Sequence, residues 1–398
     1  MDMTPGYQQT EVGVIPDDWD VAPIGHAFDI CNNLRLPISR AVRQKMAGPY
    51  PYYGPTSVQG YINEYRVEGQ YALIGEDGDH FLKWRMESMT LLVSGKFNVN
   101  NHAHLIRGTQ NLTAWFYYYF SHRDLTSYLT RQGAGRYKLT KRSLVNIPCA
   151  LPPLAEQEAI AEALSDADTL IESLEQLIAK NRHLKQGAMQ ELLRPKDDWV
   201  QKQLGNTAVL KARIGWQGLT TAEYLASGDY YLVTGTDFKG GYIDWDNCHY
   251  VEEARYRQDK NIQLKQRDIL VTKDGTVGKV ALVKRIEKPT TLNSGVFVIR
   301  PIEDAFHPEF FYYLLCSNSF FEFLSQLCAG STINHLYQKD FVNFVYKTPH
   351  TLSEQAGVAS TLSDMDADIA ALETKLAKIR YIKQGMMHNL LTGRVRLL

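Results

Sequence analysis

Cysteine is scarce: five residues in 398, at Cys31, Cys149, Cys248, Cys316 and Cys328. Their number is odd, they are scattered, and no two form a Cys-x-x-Cys pair, which argues against a disulfide framework and a zinc site. They are expected to fill cores as small hydrophobes. No apolar run approaches the roughly 20 residues that a membrane-spanning helix needs. The opening Met1-Asp2-Met3-Thr4-Pro5-Gly6 lacks the basic and apolar regions of a secretory signal, so a cytoplasmic protein is expected. An excess of one charge is missing too: 43 Lys and Arg against 44 Asp and Glu leave −1. A nucleic-acid-binding face would therefore have to be a local patch.

Signatures of catalysis are also absent. Gly275-Thr276-Val277-Gly278-Lys279 lacks the spacing of a Walker loop, and no Ser or Thr follows its lysine. His102-x-His104 could set two imidazoles on one face of a strand, but no Cys, Asp or third His stands at ligand spacing. There is no Gly-x-Ser-x-Gly turn, no His-Glu-x-x-His and no Asn-Pro-Pro-aromatic sequence. The chain is expected to carry no catalytic residue, metal or cofactor of its own.

What the chain has is a duplication. Leu154 to Leu193, shifted by 198, becomes Leu352 to Leu391 with 20 of 40 residues identical and no gap. Apolar residues alternate steps of four and three in both: Ile160, Leu164, Ala167, Ile171, Leu174, Ile178, and Val358, Leu362, Met365, Ile369, Leu372, Leu376, Ile379. That narrow heptad seam predicts a long helix packed on a partner helix by knobs into holes. Asn181, polar in the seam, reads as a register device. Copy one has seven acids from Glu156 to Glu175 and then four bases from Lys180 to Arg194; copy two has five acids and then six bases. Set antiparallel, acidic halves face basic halves, and each helix also suits its own macrodipole. Forty residues span about 60 Å if unbroken; Gly187 and Gly385 weaken the last turns. A coiled coil serving only dimerisation is the plainer alternative.

The repeat extends beyond the helices. Pro16-Asp17-Asp18-Trp19 with Ile24-Gly25 returns as Pro195-Lys196-Asp197-Asp198-Trp199 with Leu204-Gly205, and Pro195 is a natural stop for the first helix. Trp115-Phe116-Tyr117-Tyr118, followed by Ala134-Gly135, matches Phe310-Phe311-Tyr312-Tyr313, followed by Ala329-Gly330. These clusters read as core-facing helices, with base stacking as the sharper option. Ile74-Gly75-Glu76-Asp77-Gly78 matches Val271-Thr272-Lys273-Asp274-Gly275, each a buried strand entering a turn that wants positive φ. Strands are expected at 71–75, 90–94, 104–107, 230–234, 268–272, 280–284 and 296–300. The layout is thus α+β: two homologous mixed α/β domains at 1–150 and 195–350, and two long antiparallel helices at 151–194 and 351–398, a pseudo-two-fold internal repeat.

Shared framework with differing loops suggests one scaffold with two specificities. In the first half the polar, donor-rich loops offer Tyr52 and Tyr53 in Gly48–Ser57, then Lys96, Asn98, Asn100, Asn101 and His102, then Arg136, Tyr137, Lys138 and Lys141. In the second they offer Lys273, Asp274, Thr276 and Lys279, then Asn293 and Ser294, then Ser331, Thr332, Asn334, His335, Gln338 and Lys339. Arg, Lys, Asn and Gln read purine edges in the major groove, and Ser, Thr and Lys hold phosphates. Such composition also suits an ordinary solvated loop.

The chain closely resembles the specificity subunit of type I restriction-modification systems. The residues that carry this are Ile15-Pro-x-x-Trp19, Tyr52-Tyr53-Gly54-x-Thr56-x-x-x-Gly60-Tyr61-Ile62, Asn101-His102-Ala103, Pro152-Pro153-Leu-x-Glu156-Gln157, Gly241-Tyr242-Ile243, Lys273-Asp274-Gly275-x-x-Gly278 and Leu352-Ser-Glu354-Gln355. Thr351 where the first copy has Pro153 is a small departure. The resemblance covers nearly the whole chain. It implies two target-recognition domains reading a bipartite, asymmetric double-stranded DNA site, with the helices as spacer. It implies modification subunits with S-adenosylmethionine docked on the helices, and motor-nuclease restriction subunits with ATP and Mg in the full complex, this chain being non-catalytic. Lys185, Gln186, Lys383 and Gln384, in the shared Lys-Gln-Gly segments, are candidate docking residues. A free-standing DNA-binding regulator dimerising through its helices, and an enzyme with an unfamiliar site near His102 or Asp274, are the competing readings.

Overall fold

A computed structural model describes residues 5–131, 136–327 and 335–397. Two compact units divide the chain, Met1–Gln176 with Thr374–Leu398, and Leu177–Glu373. Each holds one globular region and a stretch of both long helices.

In the first unit Asp20–Pro23 pairs antiparallel with Pro148–Leu151, bringing the start and end of the globular region side by side. Between them, among the described residues, lie two four-stranded sheets. One is antiparallel, in the order Phe28–Ile30, Ala103–Gly108, Tyr71–Gly75, Thr90–Val93. The other runs Val58–Ile62, Ala47–Tyr53, Lys96–Val99, Val67–Glu68, with its central pair parallel. The 71–75 strand is buried along its whole length because its alternate side chains serve two cores. Ala72 and Ile74 join the aromatic helix, while Tyr71 and Leu73 join Phe97 and Val99.

The aromatic helix Thr113–Ser121 buries Trp115, Phe116, Tyr118 and Tyr119. Trp115 donates from Nε1 to the Ala150 carbonyl at 2.9 Å and meets Trp19 edge-on at 5.7 Å. These rings are core, and the base-stacking option falls away with them.

The second unit repeats the plan. Val200–Gln203 pairs antiparallel with Val345–Thr348. An antiparallel sheet runs Ala208–Lys211, Val296–Pro301, Ile269–Thr272, Val280–Leu282. A mixed sheet runs His249–Val251, Tyr230–Val233, Thr290–Leu292, the last two parallel. Alternation again feeds two cores: Ile269 and Val271 on one side, Leu270 on the other. Helix Pro308–Leu315 buries its Phe-Phe-Tyr-Tyr run, and Phe310 meets Trp199 at 5.9 Å.

All seven expected strands are present, with ends shifted by a residue or two. Strands that were not expected include the Gly- and Pro-rich 47–53, an irregular strand with register shifts, and the amide-rich 96–99, which read as loops, together with short ones such as 28–30, 148–151, 208–211, 290–292 and 345–348. The long helices run Leu154–Leu192 and Leu352–Leu390. Both pass through Gly187 and Gly385, whose cost of about 1 kcal/mol is outweighed by packing of the turns beyond, where Leu193 and Leu390 are buried.

Every seam residue is buried or half-buried, Ile160, Leu164, Leu174, Ile178, Leu362, Ile369 and Leu376 fully so. Asn181 spends its amide on the Leu177 carbonyl of its own helix at 2.9 Å. Within each unit the two helix stretches run antiparallel, as their ion pairs show: Asp168 with Lys383 and Glu175 with Arg380 in the first, Lys185 with Asp366 and Arg182 with Glu373 in the second. The more exposed Arg–Glu pairs contribute roughly 0.2–1 kcal/mol each. One fully buried seam side chain contributes about 1.5–3 kcal/mol, so packing supplies the stability and charge the direction.

The duplicated Glu-Gln explains how a globular region joins its helix. Gln157 Oε1 accepts the Leu112 N–H at 2.9 Å, and its Nε2 donates to the Pro152 carbonyl at 2.9 Å. Gln355 repeats this with His307 N–H and the Pro349 carbonyl, at 2.8 and 3.1 Å. Thr351, where the first copy has Pro153, accepts the Glu354 N–H at 3.2 Å while Glu354 accepts the Thr351 N–H at 3.2 Å, a capping box. Among the described residues no helix is long and apolar enough to cross a membrane. Cys149 and Cys248 are buried as expected, whereas Cys31 is only partly buried and Cys316 is exposed; Cys328 lies outside the described residues.

Candidate nucleic-acid interface

Three segments that are remote in sequence meet at one end of the first unit's antiparallel sheet. The Glu76 N–H donates to the His102 carbonyl at 2.8 Å, Leu139 N–H to the Glu76 carbonyl at 2.8 Å, and Gly78 N–H to the Tyr137 carbonyl at 3.1 Å. Gly78 has φ +139°, so Asp77-Gly78 makes its turn with a backbone that other residues rarely adopt. A fourth segment joins through Asn100, whose N–H donates to the Tyr53 carbonyl at 3.0 Å and whose amide donates to Gln59 Oε1 at 3.1 Å.

Charged side chains lace the three segments together. Glu76 accepts from Arg35 at 2.6 Å and Lys138 at 3.2 Å. Asp77 lies 2.8 Å from His102 Nδ1 and 3.5 Å from Lys138 Nζ. Burial works to raise the Glu76 carboxyl, but hydrogen bonds from Arg35 and Lys138 hold it below the usual carboxylate range. Its hydrogen bond to Glu76 holds Lys138 above the usual lysine value. His104 is fully buried; Nε2 donates to the Leu139 carbonyl at 2.8 Å while Nδ1 accepts the Asn32 amide at 2.9 Å. That fixes the neutral tautomer, and burial pushes its pKa down.

The second unit makes the corresponding backbone bonds. Lys273 N–H donates to the Gly295 carbonyl at 2.8 Å, Leu336 N–H to the Lys273 carbonyl at 2.8 Å, and Asn293 N–H to the Val233 carbonyl at 2.9 Å. Asp274 pairs with His335, the position of Lys138 in the first unit. Asn293 donates to the Tyr224 hydroxyl at 2.7 Å. The 272–279 turn is closed by Thr272 Oγ1, which accepts the Lys279 N–H at 2.9 Å and donates to the Thr276 carbonyl. One backbone frame thus carries two sets of side chains.

The family model for the type I restriction modification DNA specificity domain matches the chain twice, over residues 16–180 and 197–381. The chain belongs to the type I restriction-modification specificity family. A relative, the type I restriction enzyme MjaVIII specificity subunit of Methanocaldococcus jannaschii, is 25% identical over 405 residues, covering 96% of this chain and 94% of that one. A crystal structure of a type I restriction-modification S subunit from M. genitalium shares the fold at TM-score 0.65, with 16% identity, covering 98% of this chain and 99% of that one.

In this specificity chain the loop-reading residues divide by burial. Asn101, His102, Arg136, Lys141, Asp274, Thr276, Lys279, Gln338 and Lys339 are exposed at or beside the two constellations, and Tyr137, Lys138, Lys273, Asn293, Ser294 and His335 are half-buried there. Tyr52 leaves the candidate set: it is fully buried, its hydroxyl donating to the Leu36 carbonyl at 2.6 Å. Asn98 is equally buried, donating to the Glu64 carbonyl at 2.8 Å, and Asn100 is a buried joint between loops. Tyr53 is half-buried, edge-on to Phe97 at 5.8 Å. Asn98 fails because the 96–99 strand is buried on both faces, Phe97 and Val99 entering the apolar core while Asn98 on the other face meets the Glu64 carbonyl. Lys96 is exposed with its ammonium 4.6 Å from the Tyr65 ring, but stands at the far end of the 96–99 strand, about 13 Å before Asn100. Ser331, Thr332 and Asn334, like Ala134-Gly135 and Ala329-Gly330, lie outside the described residues.

His102 and His104 have separate partners, Asp77 for one and the buried Leu139 and Asn32 groups for the other. Arg35, Glu76 and Gln59 belong to this candidate site and the sequence did not reveal them. Arg35 and Glu76 are 41 positions apart, and no local pattern announces such a pair. Of the docking candidates, Lys185 and Lys383 are committed to Asp366 and Asp168, leaving Gln186 and Gln384 as the exposed members.

Proposed function

We propose that this chain is the non-catalytic, DNA-reading subunit of a type I restriction-modification complex. Each unit presents its three-segment constellation to one half of a bipartite, asymmetric site in double-stranded DNA. The observation that carries this reading is a single backbone frame built twice with different polar side chains at the same positions, the arrangement needed to read two unlike half-sites from one scaffold. Exposed Arg136 and Lys141 in one unit and Lys279 and Lys339 in the other supply phosphate and guanine contacts. Asn101 and Gln338 supply amides suited to adenine.

The long helices act as the spacer, and their exposed faces, with Gln186 and Gln384, take the modification subunits. Methyl transfer from S-adenosylmethionine belongs to those subunits, and ATP with Mg to restriction subunits. The test is a genome-wide map of methylated adenines in a host carrying this chain with its modification subunit, against a host lacking only this chain. A split, asymmetric motif that vanishes with the chain is expected. No chain-dependent motif would overturn the reading. Lengthening both helices by one heptad should widen the gap and leave both half-sites unchanged.

A further inference from the structure

The seam of the helix pair explains why two helices associate, but not what fixes a recognition domain's heading upon them. One carboxylate in each unit stands where all three parts meet. In the first, Asp168 accepts the Tyr118 hydroxyl on Oδ2 at 3.1 Å and the Lys383 ammonium on Oδ1. Tyr118 belongs to the aromatic helix of the globular region, Asp168 to the first long helix and Lys383 to the second.

In the second unit Asp366 accepts the Tyr313 hydroxyl on Oδ2 at 2.8 Å and the Lys185 ammonium on Oδ1 at 2.5 Å. The roles of the helices are exchanged, and the same oxygen takes the same partner. Each ammonium also lies near its tyrosine ring, 5.9 Å from Tyr118 and 5.5 Å from Tyr313. The duplicated Asp and Lys thus act in different units: Asp168 serves the first, Lys185 the second.

Resting on the functional reading above, we infer that Tyr118–Asp168–Lys383 and Tyr313–Asp366–Lys185 are positioning clamps that set the angle of each recognition domain on the helix pair. They thereby fix the spacer length at which both half-sites can be read. The seam tolerates small rocking, because packed apolar faces have little directional preference. A tyrosine hydroxyl and an ammonium on opposite oxygens of one carboxylate do not, because hydrogen bonds weaken steeply off axis. These residues read no base, so their loss acts on spacing and not on half-site sequence.

The experiment maps adenine methylation in hosts carrying the full chain with its modification subunit. Tyr118→Phe removes only the clamp's own bond from domain to helix and leaves those made by Trp19 and Gln157. Methylation at sites with the spacer one base pair longer or shorter should rise about tenfold relative to the authentic spacer, the change expected for one lost charge-assisted hydrogen bond, with both half-sites unaltered. Lys383→Arg, which keeps a cation for Asp168, should retain strict spacing.

The double variant Asp168→Lys with Lys383→Asp restores attraction between the helices but takes the acceptor from Tyr118, and spacing should stay relaxed. Strict spacing in Tyr118→Phe or in the double variant, or a uniform fall of methylation at every spacing, would overturn the clamp. If instead the unsubstituted chain directs no split motif at all, the functional reading itself has failed.

Discussion

The two recognition domains share a frame and differ in what binds it together. In the first, the three loops are tied by an ion network in which Arg35, Lys138, Glu76, Asp77 and His102 all take part. Among the described residues of the second, three of the same four backbone bonds are made, yet the ion pairing across them falls to Asp274 with His335. The frame is therefore carried by main-chain hydrogen bonds, which every residue but proline can donate, and the loop surface is left free to vary. On the proposed reading, that division lets a duplicated fold present two different reading surfaces without relearning how to fold.

The contrast can be broken at the opening tryptophans first. Trp19 is 1% exposed and donates from Nε1 to Glu156 Oε2 at 2.9 Å, whereas Trp199 is 9% exposed. Trp19→Ala should destabilise the first unit by about 3–5 kcal/mol and Trp199→Ala the second by less, read as urea midpoints with hydrogen exchange to assign each unit. Next comes Glu76→Ala. Arg35 and Lys138 would lose their shared acceptor at a site only 14% exposed, and roughly 2–3 kcal/mol should be lost from the first unit. Asp274→Ala, at an exposed pair, should cost less than about 1 kcal/mol. Equal losses would erase the distinction between the two loop clusters.

Much of this architecture was legible beforehand. The helix pair, its direction, the aromatic core helices and the Asp-Gly turns all depend on short-range periodicity or on residues that the chain writes twice. What escaped depends on distance or pleat. The 96–99 strand and the residue after it read as a polar loop because Asn98 and Asn100 are amides, yet both are buried and each has a partner. Tyr52 reads as an exposed hydroxyl and is a buried strut. Lys185 and Lys383 read as free docking cations because their acceptors lie 181 and 215 positions away.

Acid should sharpen the contrast further. Burial holds His104 below its ordinary value in the folded chain, so below about pH 6.5 the unfolded chain binds a proton that the folded one does not. The first unit therefore loses stability as pH falls from there through the folded pKa. Glu76, held low, adds a loss that begins below its ordinary 4.5 and completes as pH falls through its folded value. His104→Gln should flatten the upper part of this profile in thermal melts and leave the lower part. The smallest effect is expected on the helices. A Cβ at Gly187 or Gly385 would meet nothing within 4 Å, so Gly→Ala at either should add about 0.5–1 kcal/mol, raising Tm by roughly 2–4 °C.

The central claim, that each domain reads its own half-site, is tested most directly by substituting exposed loop cations in one domain and mapping methylated adenines. With Arg136→Ala and Lys141→Ala together, the bases of one half-site should relax while the other half-site and the gap between them stay as they were. Loss of sequence preference in both halves at once, or a changed gap with both halves intact, would contradict the account.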